Sequence, residues 1–431
     1  MRILTESEDH HPMWEKLGLD LKKHDELLSI LPDIYKEIYI DTQENRPDMS
    51  FFDFVVSDIH GIRIKELVEA KTKGSKIIGT FCVYVPDEII VALDGIGIGL
   101  CGGTNFSDYA IEGVLPANLC PLIKSAVGFK LGKICPYFES LDLLIGETTC
   151  DGKKKAWEIL AKETEMHIME VPQCKERIQS RELFFKELKA LVKKLEEISG
   201  KKLTVENLKP AMIKIEKKRE QLRRVYGTRK NNPPPISGKD SLLVSQITFY
   251  DAPDRQIQML GKLAEELEMR VKKGEGVVDK GTPRILIAGT PMAIPNWKLH
   301  HIIETSGAIV VVEETCTGTR YFAGKLKIEG DTIDELLQNI ANRYLEINCA
   351  CFTPNEKRIE DIKQLIKDYK VDGVVVYTLS FCQPYEIEAM NIQNELKQEN
   401  IPTINITTDY SSEDISQLKT RIEALIEMIK K

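Results

Sequence analysis

The chain has 431 residues, enough for two or three domains with sizeable cores, and its formal net charge is −8. This acidic balance excludes the basic surface with which proteins bind nucleic acids. The longest apolar stretch, residues 89–100, is interrupted by Asp94 and three glycines, so it is unsuited to crossing a bilayer, which takes about 20 apolar residues.

Helical spacing of apolar residues, as in Leu27, Leu28, Leu31 and Ile34, characterises the start of the chain and predicts an N-terminal helical segment over residues 1–74. Strands and helices then alternate. Strands are predicted at 76–85, 96–100 and 141–146, and helices at 86–94 and from residue 121. We therefore expect a first α/β domain over residues 75–174.

A highly charged and strongly helical stretch follows over residues 175–228 and ends at an Asn-Asn-Pro-Pro-Pro tract. With a further predicted helix at 253–272, it indicates a helical insert over residues 175–275. The alternation then resumes in a second α/β domain, residues 276–431. Its predicted strands are 284–288, 308–312, 372–378 and 402–407, with helices at 332–346, at 384–398 and through His300 and His301.

Alternating strands and helices predict mostly parallel sheets covered on both faces. The stretch 142–152 also resembles 309–318, since each has an apolar strand, an acid, a threonine, a cysteine and a nearby glycine. We predict an α/β fold of two Rossmann-like (flavodoxin-like) domains. Their strand ends would face one central cleft.

Cysteines occur where predicted strands end. This set comprises Cys101, Cys120, Cys150, Cys316 and Cys382, with the close pair Cys349 and Cys351 beside it. The N-terminal residues are acidic where a signal peptide has an apolar core, so we expect a cytoplasmic protein, in which disulfides are rare. Thiolates are the usual ligands of iron–sulfur clusters. Zinc is disfavoured because the chain has no C-x-x-C pair.

A single buried cysteine is ordinarily a small apolar residue without chemistry. We prefer that interpretation for Cys82, inside a predicted strand, and for Cys174, at the start of a helix. Cys135 stays open. The three lysines at 153–155 open a predicted helix and favour a solvated face, with a docking role as the alternative. The chain has no G-x-x-x-x-G-K-[ST] loop for ATP phosphates.

Several motifs carry a family resemblance from about residue 75 to the C-terminus. They are Cys-Pro-Leu-Ile-Lys-Ser at 120–125, Cys-Pro-Tyr-Phe at 135–138, Thr-Thr-Cys-Asp-Gly-Lys-Lys-Lys at 148–155, Cys-Ala-Cys-Phe-Thr-Pro-Asn at 349–355 and the stretch from Asp372 to Cys382. The chain resembles the 2-hydroxyacyl-CoA dehydratase and benzoyl-CoA reductase superfamily. Within it, the chain resembles most the double-cubane cluster proteins.

The resemblance implies a [4Fe-4S] cubane held by Cys120, Cys150 and Cys382. In the double-cubane branch, a second cubane joined through a bridging sulfide makes [8Fe-9S]. Its candidate ligands are Cys101, Cys316 and Cys351, with Cys349 as the rival for the last place. The resemblance also implies a homodimer and a separate ATP-hydrolysing [4Fe-4S] reductase of the acetate kinase and actin fold as electron donor.

We therefore predict a cytoplasmic, oxygen-sensitive iron–sulfur oxidoreductase of anaerobic metabolism that reduces small unsaturated or nitrogen-bearing molecules at low potential. The first alternative is a 2-hydroxyacyl-CoA dehydratase subunit with one [4Fe-4S] cluster. Another is an electron-storage or scaffold protein without turnover of its own, and a structural zinc protein ranks last. No acid or base for catalysis stands out from the sequence.

Overall fold

The computed structural model describes residues 9–431. Four helices precede the first sheet in the described residues, and the second of them is capped by the Asp20 side chain, which accepts a hydrogen bond from the Lys23 amide. A π-helical turn, Lys36–Ile40, extends this second helix. These helices are α1 His11–Leu17, α2 Leu21–Tyr35, α3 Ser50–Ser57 and α4 Ile62–Thr72.

The first sheet has four parallel strands in the order β2-β1-β3-β4. β3 is buried along its whole length, as an inner strand with helices on both faces must be. The elements are β1 Lys76–Thr80, α5 Asp87–Ala92, β2 Gly95–Gly99, α6 Pro121–Leu131, α7 Pro136–Glu139, β3 Leu143–Glu147, α8 Asp151–Leu160 and β4 Met166–Met169.

Four helices separate the two sheets along the chain, and α10 joins them in space. Arg219 of α10 is fully buried, where it contacts Glu88 of α5 and the much later residue Tyr344. Arg229, which follows α10, binds Glu313 with both terminal nitrogens at 2.8 Å. The four helices are α9 Ile178–Ser199, α10 Val205–Thr228, α11 Gly238–Ile247 and α12 Pro253–Lys273.

The second sheet repeats the order of the first, with four parallel strands arranged β6-β5-β7-β8. The predicted α/β class with two Rossmann-like sheets is confirmed. The elements are β5 Arg284–Gly289, α13 Lys298–Thr305, β6 Ile309–Glu314, α14 Thr319–Phe322, α15 Ile333–Leu345, α16 Glu356–Tyr369, β7 Gly373–Leu379, α17 Gln383–Gln398, β8 Thr403–Thr408 and α18 Ile415–Lys430.

Two details of the strand prediction were wrong. The strand expected over 76–85 ends at Thr80, and residues 81–86 form turns before α5. The short strand β4 was not predicted, because its four residues include a histidine and two methionines and lack β-branched enrichment apart from Ile168. The first difference matters because it moves Cys82 from a strand into a loop at the carboxyl edge of the sheet.

One apolar core runs from the first sheet to one face of the second through residues of β1, β3, β5 and β7, whereas a separate apolar cluster with Leu286, Ile309 and Val374 covers the other face of the second sheet. Loops after β2 and β5 also bond directly, since the Gly103 amide donates to the Ile294 carbonyl at 2.9 Å. This contact places the carboxyl edges of the two sheets around a shared interior region.

Across residues 9–431, no helix has both the length and the apolar character needed to span a membrane.

Candidate functional site

The cysteines at the strand ends lie around this shared region. Cys101 follows β2 and Cys316 follows β6, and each of the other three directly precedes a helix: Cys120 before α6, Cys150 before α8 and Cys382 before α17. Helix N-termini favour negative charge, so these three positions suit thiolates. All ten cysteines of the chain are free thiols.

A first thiol group consists of Cys120, Cys150 and Cys382, which the structure brings together from both sheets. Interaction with the Cys382 thiol lowers the pKa of Cys120 to about 7, and the same interaction raises the pKa of Cys382. Cys150 is close enough for its charge to interact with both. Its sulfur accepts a 3.5 Å hydrogen bond from the Lys153 amide.

A second thiol group consists of Cys316, Cys349 and Cys351. Interaction with the Cys351 thiol is the main cause that lowers the pKa of Cys349, and the charge of Cys316 interacts with that of Cys349. Cys101 interacts with a member of each group, since its charge is affected by both Cys316 and Cys120. Its thiol donates to the Phe81 carbonyl at 3.2 Å. The structure thus gathers all seven predicted cysteines around one region.

Cys82 is an eighth cysteine at this site, and the sequence interpretation missed it. It lies two residues beyond β1, and its charge interacts with Cys316 and Cys349. The sequence did contain a signal that the strand ends before Cys82, because a helix begins at Pro86 and Asp87, only a few residues later. Cys135 precedes α7, where burial raises its pKa to about 12. Cys174 lies in the loop between β4 and α9.

Two polar side chains, on helices that follow strands of the second sheet, lie against sulfur atoms of the second thiol group. Arg320 Nη1 lies 3.8 Å from Cys316 Sγ, and the Tyr385 hydroxyl lies 3.3 Å from Cys349 Sγ. Arg320 and Tyr385 also contact one another. Glu314 holds Arg320 in place by accepting from its Nε at 2.6 Å and its Nη2 at 2.7 Å.

A buried ion pair from the first sheet faces the same region. Lys153 contacts Glu147, whose side chain is completely buried. Although burial opposes its charge, Glu147 and the thiols of Cys82, Cys101 and Cys150 hold the pKa of Lys153 well above its usual value. The predicted solvated face is therefore wrong for Lys153, whereas Lys155 is indeed exposed.

Three of these thiols, those of Cys82, Cys101 and Cys316, line a cavity that we call the thiol cavity. Its wall also includes Lys153 and Tyr321. A second and mostly apolar cavity shares Gly99, Cys101, Tyr250 and Ile294 with it and extends to the N-terminal helices. A molecule inside the thiol cavity would thus touch thiols contributed by both sheets.

Within residues 9–431, no three His, Cys, Asp or Glu side chains lie close enough to share one metal ion. In a cubane, each thiolate binds a different iron atom, so its ligands stand further apart than those of a single ion. The donor set fits such a cluster. It is made of free thiols with positive groups beside them, and Glu147 Oε2 is buried without a hydrogen-bond partner.

Comparison with known proteins identifies the family. The family model for the 2-hydroxyglutaryl-CoA dehydratase D-component matches residues 82–429, so the chain belongs to this family. A protein of Escherichia coli K12 named "Putative dehydratase subunit YjiM" is 36% identical over 365 residues, which cover 84% of this chain and 94% of that protein.

More distant relatives cover similar lengths. The (R)-phenyllactyl-CoA dehydratase beta subunit of Clostridium sporogenes is 22% identical over 83% of this chain and 92% of its own. One of the subunits of the benzoyl-CoA reductase of Thauera aromatica is 22% identical over 82% of this chain and 91% of its own. The superfamily suggested by the cysteine motifs is thereby confirmed.

Proposed function

We propose that the protein is an iron–sulfur reductase that holds an [8Fe-9S] double-cubane cluster and reduces small molecules at low potential. One observation carries this proposal: two separate thiol groups form from distant parts of the chain, and Cys101 interacts with a member of each. A single cubane with one open iron needs only three protein thiolates. The first thiol group already supplies three, so the second group needs a further role.

The proposed ligands of the first cubane are Cys120, Cys150 and Cys382. Those of the second are drawn from Cys101, Cys316, Cys349 and Cys351, with Cys82 as a neighbour that the structure adds. When bound, such a cluster supplies electrons one at a time to a molecule in the thiol cavity. The protein supplies the thiolates, the largely dry surroundings and the hydrogen bonds that set the potential.

Three side chains of the site have assignable tasks. Arg320 and Tyr385 donate towards sulfur atoms of the second thiol group and so stabilise negative charge there. Lys153 places a positive charge in the wall of the thiol cavity, next to thiols of both sheets. These groups favour the addition of electrons to a site that already carries several thiolates.

The wall of the thiol cavity favours a small, uncharged substrate. Among its lining residues, Lys153 is the only lysine or arginine, and Glu147 already neutralises it. A coenzyme A thioester carries phosphate groups, which proteins bind with clusters of such cations. The remaining wall is mainly apolar, with residues such as Phe81, Val83, Phe249 and Ile294.

The electron donor in this proposal is a separate ATP-hydrolysing [4Fe-4S] reductase, because the chain itself has no phosphate-binding loop of the G-x-x-x-x-G-K-[ST] kind. We further propose that the protein acts as a homodimer, in the cytoplasm of an anaerobic cell. Relatives named as subunits of dehydratases and reductases support an activity that depends on a second component.

Iron and acid-labile sulfide per chain, measured on protein purified without oxygen, test the proposal. We expect about eight irons and about nine sulfides. Replacing Cys316 by serine should lower both counts, whereas the matched replacement of Cys174, outside both thiol groups, should leave them unchanged. A wild-type count near zero would refute any cluster.

The second candidate function is that of a 2-hydroxyacyl-CoA dehydratase subunit with one [4Fe-4S] cluster. The first thiol group alone supplies its three ligands, and relatives named as acyl-CoA dehydratase subunits favour it. A count of about four irons per chain, unchanged by the Cys316→Ser substitution, would select this function.

A further inference from the structure

A polar passage adjoins the thiol cavity on the side of α10. Its wall includes Lys218, Thr248 and Asp251. Four residues line both spaces: Thr80, Asp87, Gly99 and Phe249. Asp87 is the only one of the four with an ionisable side chain, and 26% of that side chain is exposed although the residue lies between packed elements. Its carboxylate therefore stands at the junction of the two spaces.

The carboxylate of Asp87 joins a group in the passage to a group in the thiol cavity. Its Oδ2 accepts a hydrogen bond from Lys218 Nζ at 3.3 Å and another from the Tyr321 hydroxyl at 2.7 Å. Lys218 lines the passage, whereas Tyr321 lines the thiol cavity beside Cys316. Lys218 Nζ also lies 5.1 Å from the centre of the Tyr321 ring. The three side chains form one continuous chain of hydrogen bonds.

The charges of these groups suit proton transfer. Burial disfavours the charged form of Lys218 and lowers its pKa. Its ammonium therefore releases a proton more readily than that of a free lysine. Burial likewise opposes the charge of Asp87, but Lys218 and Arg219 outweigh it and keep the pKa of the carboxyl below its usual value. Asp87 is thus held as an acceptor between two donors.

A neighbouring pair shows what a purely structural arrangement looks like in the same helices. Glu88, the next residue along α5, contacts Arg219 and accepts from the Tyr344 hydroxyl at 2.7 Å. Both carboxylate and guanidinium are completely buried. Neither Glu88 nor Tyr344 lines the thiol cavity or the polar passage. Of these two neighbouring groups, the one centred on Asp87 connects two open spaces.

We propose that Lys218, Asp87 and Tyr321 form the route by which protons reach the thiol cavity. This inference rests on the proposed reductase function. Adding two electrons across a multiple bond also requires two protons, or charge would accumulate in a largely dry cavity. For each proton, the Lys218 ammonium first protonates the Asp87 carboxylate, and the Tyr321 hydroxyl gives its proton to the bound molecule. The carboxylic acid of Asp87 then reprotonates the Tyr321 phenolate, and a proton from bulk solvent, carried through the polar passage, restores the Lys218 ammonium. The two electrons would come from the iron–sulfur group of the proposed function.

Acetylene is a suitable probe, because it is a very small neutral molecule that two electrons and two protons convert to ethene. The test uses full-length protein prepared without oxygen and a europium(II) chelate as reductant. We expect Tyr321→Phe and Asp87→Asn to reduce acetylene at least tenfold more slowly than the wild type, with unchanged iron content. The matched control Tyr344→Phe removes an equally buried hydroxyl outside the route and should keep the wild-type rate.

Two further readouts separate proton transfer from a structural role. A small external acid such as imidazolium should restore part of the rate of Asp87→Asn, and the rate in heavy water should fall more in Tyr321→Phe than in the wild type. Wild-type rates in both variants would overturn the route, as would loss of iron or absence of rescue by the acid. Iron-loaded wild-type protein that reduces no acetylene would instead overturn the reductase function, and the route with it.

Discussion

The hydroxyl oxygen of Tyr385 lies 3.3 Å from the sulfur of Cys349. Tyr385 is on α17, three residues after Cys382, so the helix that begins at a first-group thiol also carries a donor to a second-group thiol. The same hydroxyl contacts Arg320, which is 3.8 Å from Cys316. The Tyr385 hydroxyl therefore acts on the second thiol group, directly and through Arg320, while the helix that carries it begins at a thiol of the first.

Removing this hydroxyl should make the bound cluster harder to reduce. A hydrogen bond to a ligand sulfur stabilises the extra negative charge of the reduced state and so raises the reduction potential. We expect Tyr385→Phe to lower the midpoint potential in a redox titration followed by electron paramagnetic resonance, with unchanged iron content. Tyr39→Phe removes another fully buried hydroxyl, far from the thiols, and serves as control. An unchanged or higher potential in Tyr385→Phe would contradict this role.

Cys349, and not Cys351, should be the ligand of the close pair. Cys349 is the partner that Tyr385 contacts, and its charge interacts with Arg320 and Cys316. Both donors stabilise a thiolate at this position. We expect Cys349→Ser to lower the iron content of anaerobically prepared protein much more than Cys351→Ser does. A greater loss of iron in Cys351→Ser than in Cys349→Ser would instead assign the ligand position to Cys351.

Gly103 should not tolerate a side chain, because the two halves of the molecule meet there. Its amide donates to the Ile294 carbonyl, and an added Cβ would lie 2.1 Å from the carbonyl oxygen of Ala293. The loops after β2 and β5 would have to separate. We expect Gly103→Ala to reduce the free energy of unfolding by about 1–3 kcal/mol in urea denaturation.

Gly227, near the end of α10, provides the matched control. A Cβ at this position would meet no atom within 4 Å. Alanine in a helix is favoured over glycine by about 0.5–1 kcal/mol, so Gly227→Ala should be neutral or stabilising. Equal changes in the free energy of unfolding for the two substitutions would contradict a stabilising role of the close contact between the loops at Gly103.

The N-terminal helices should be sensitive to mild acid through two buried histidines. His24 Nε2 and His60 Nδ1 lie 3.0 Å apart, and one shared hydrogen bond requires at least one neutral ring. Burial lowers the pKa of His24 to about 4 and that of His60 well below its usual value. Unfolded histidine, with a pKa of about 6.5, therefore binds protons that the folded protein does not.

Stability should consequently fall as the pH drops from about 6.5 towards about 4, by up to about 3 kcal/mol for His24 at 1.36 kcal/mol per pKa unit. Urea denaturation at pH 7, 6 and 5 checks this slope, and His24→Gln should make it shallower. His11 is exposed, and its pKa is raised by Asp25 and Asp9, so His11→Gln should not reduce the slope. An unchanged slope in His24→Gln would contradict the assignment.

Much of the fold was predictable from the sequence, because the local pattern encodes it. Apolar runs followed by helical periodicity gave seven of the eight strands found within residues 9–431 and the division into two parallel sheets, since both signals depend on neighbouring residues only. The same local signals also predicted that strands end close to Cys150, Cys316 and Cys382. Parallel strands bring their carboxyl ends to one edge, which explains why the seven predicted cysteines do lie around one region.

The tertiary structure alone decided which other groups share that region. Lys153 turned inward because Glu147 and several thiols compensate its charge, which no spacing rule reveals. Arg320 and Tyr385 belong to different helices, and Asp87 meets Lys218 across 131 residues. Such contacts depend on how two sheets and α10 pack together. The sequence determined the elements and the chemical character of the site, whereas packing between distant elements determined its neighbours, because a side chain's environment is set by whatever the fold places beside it.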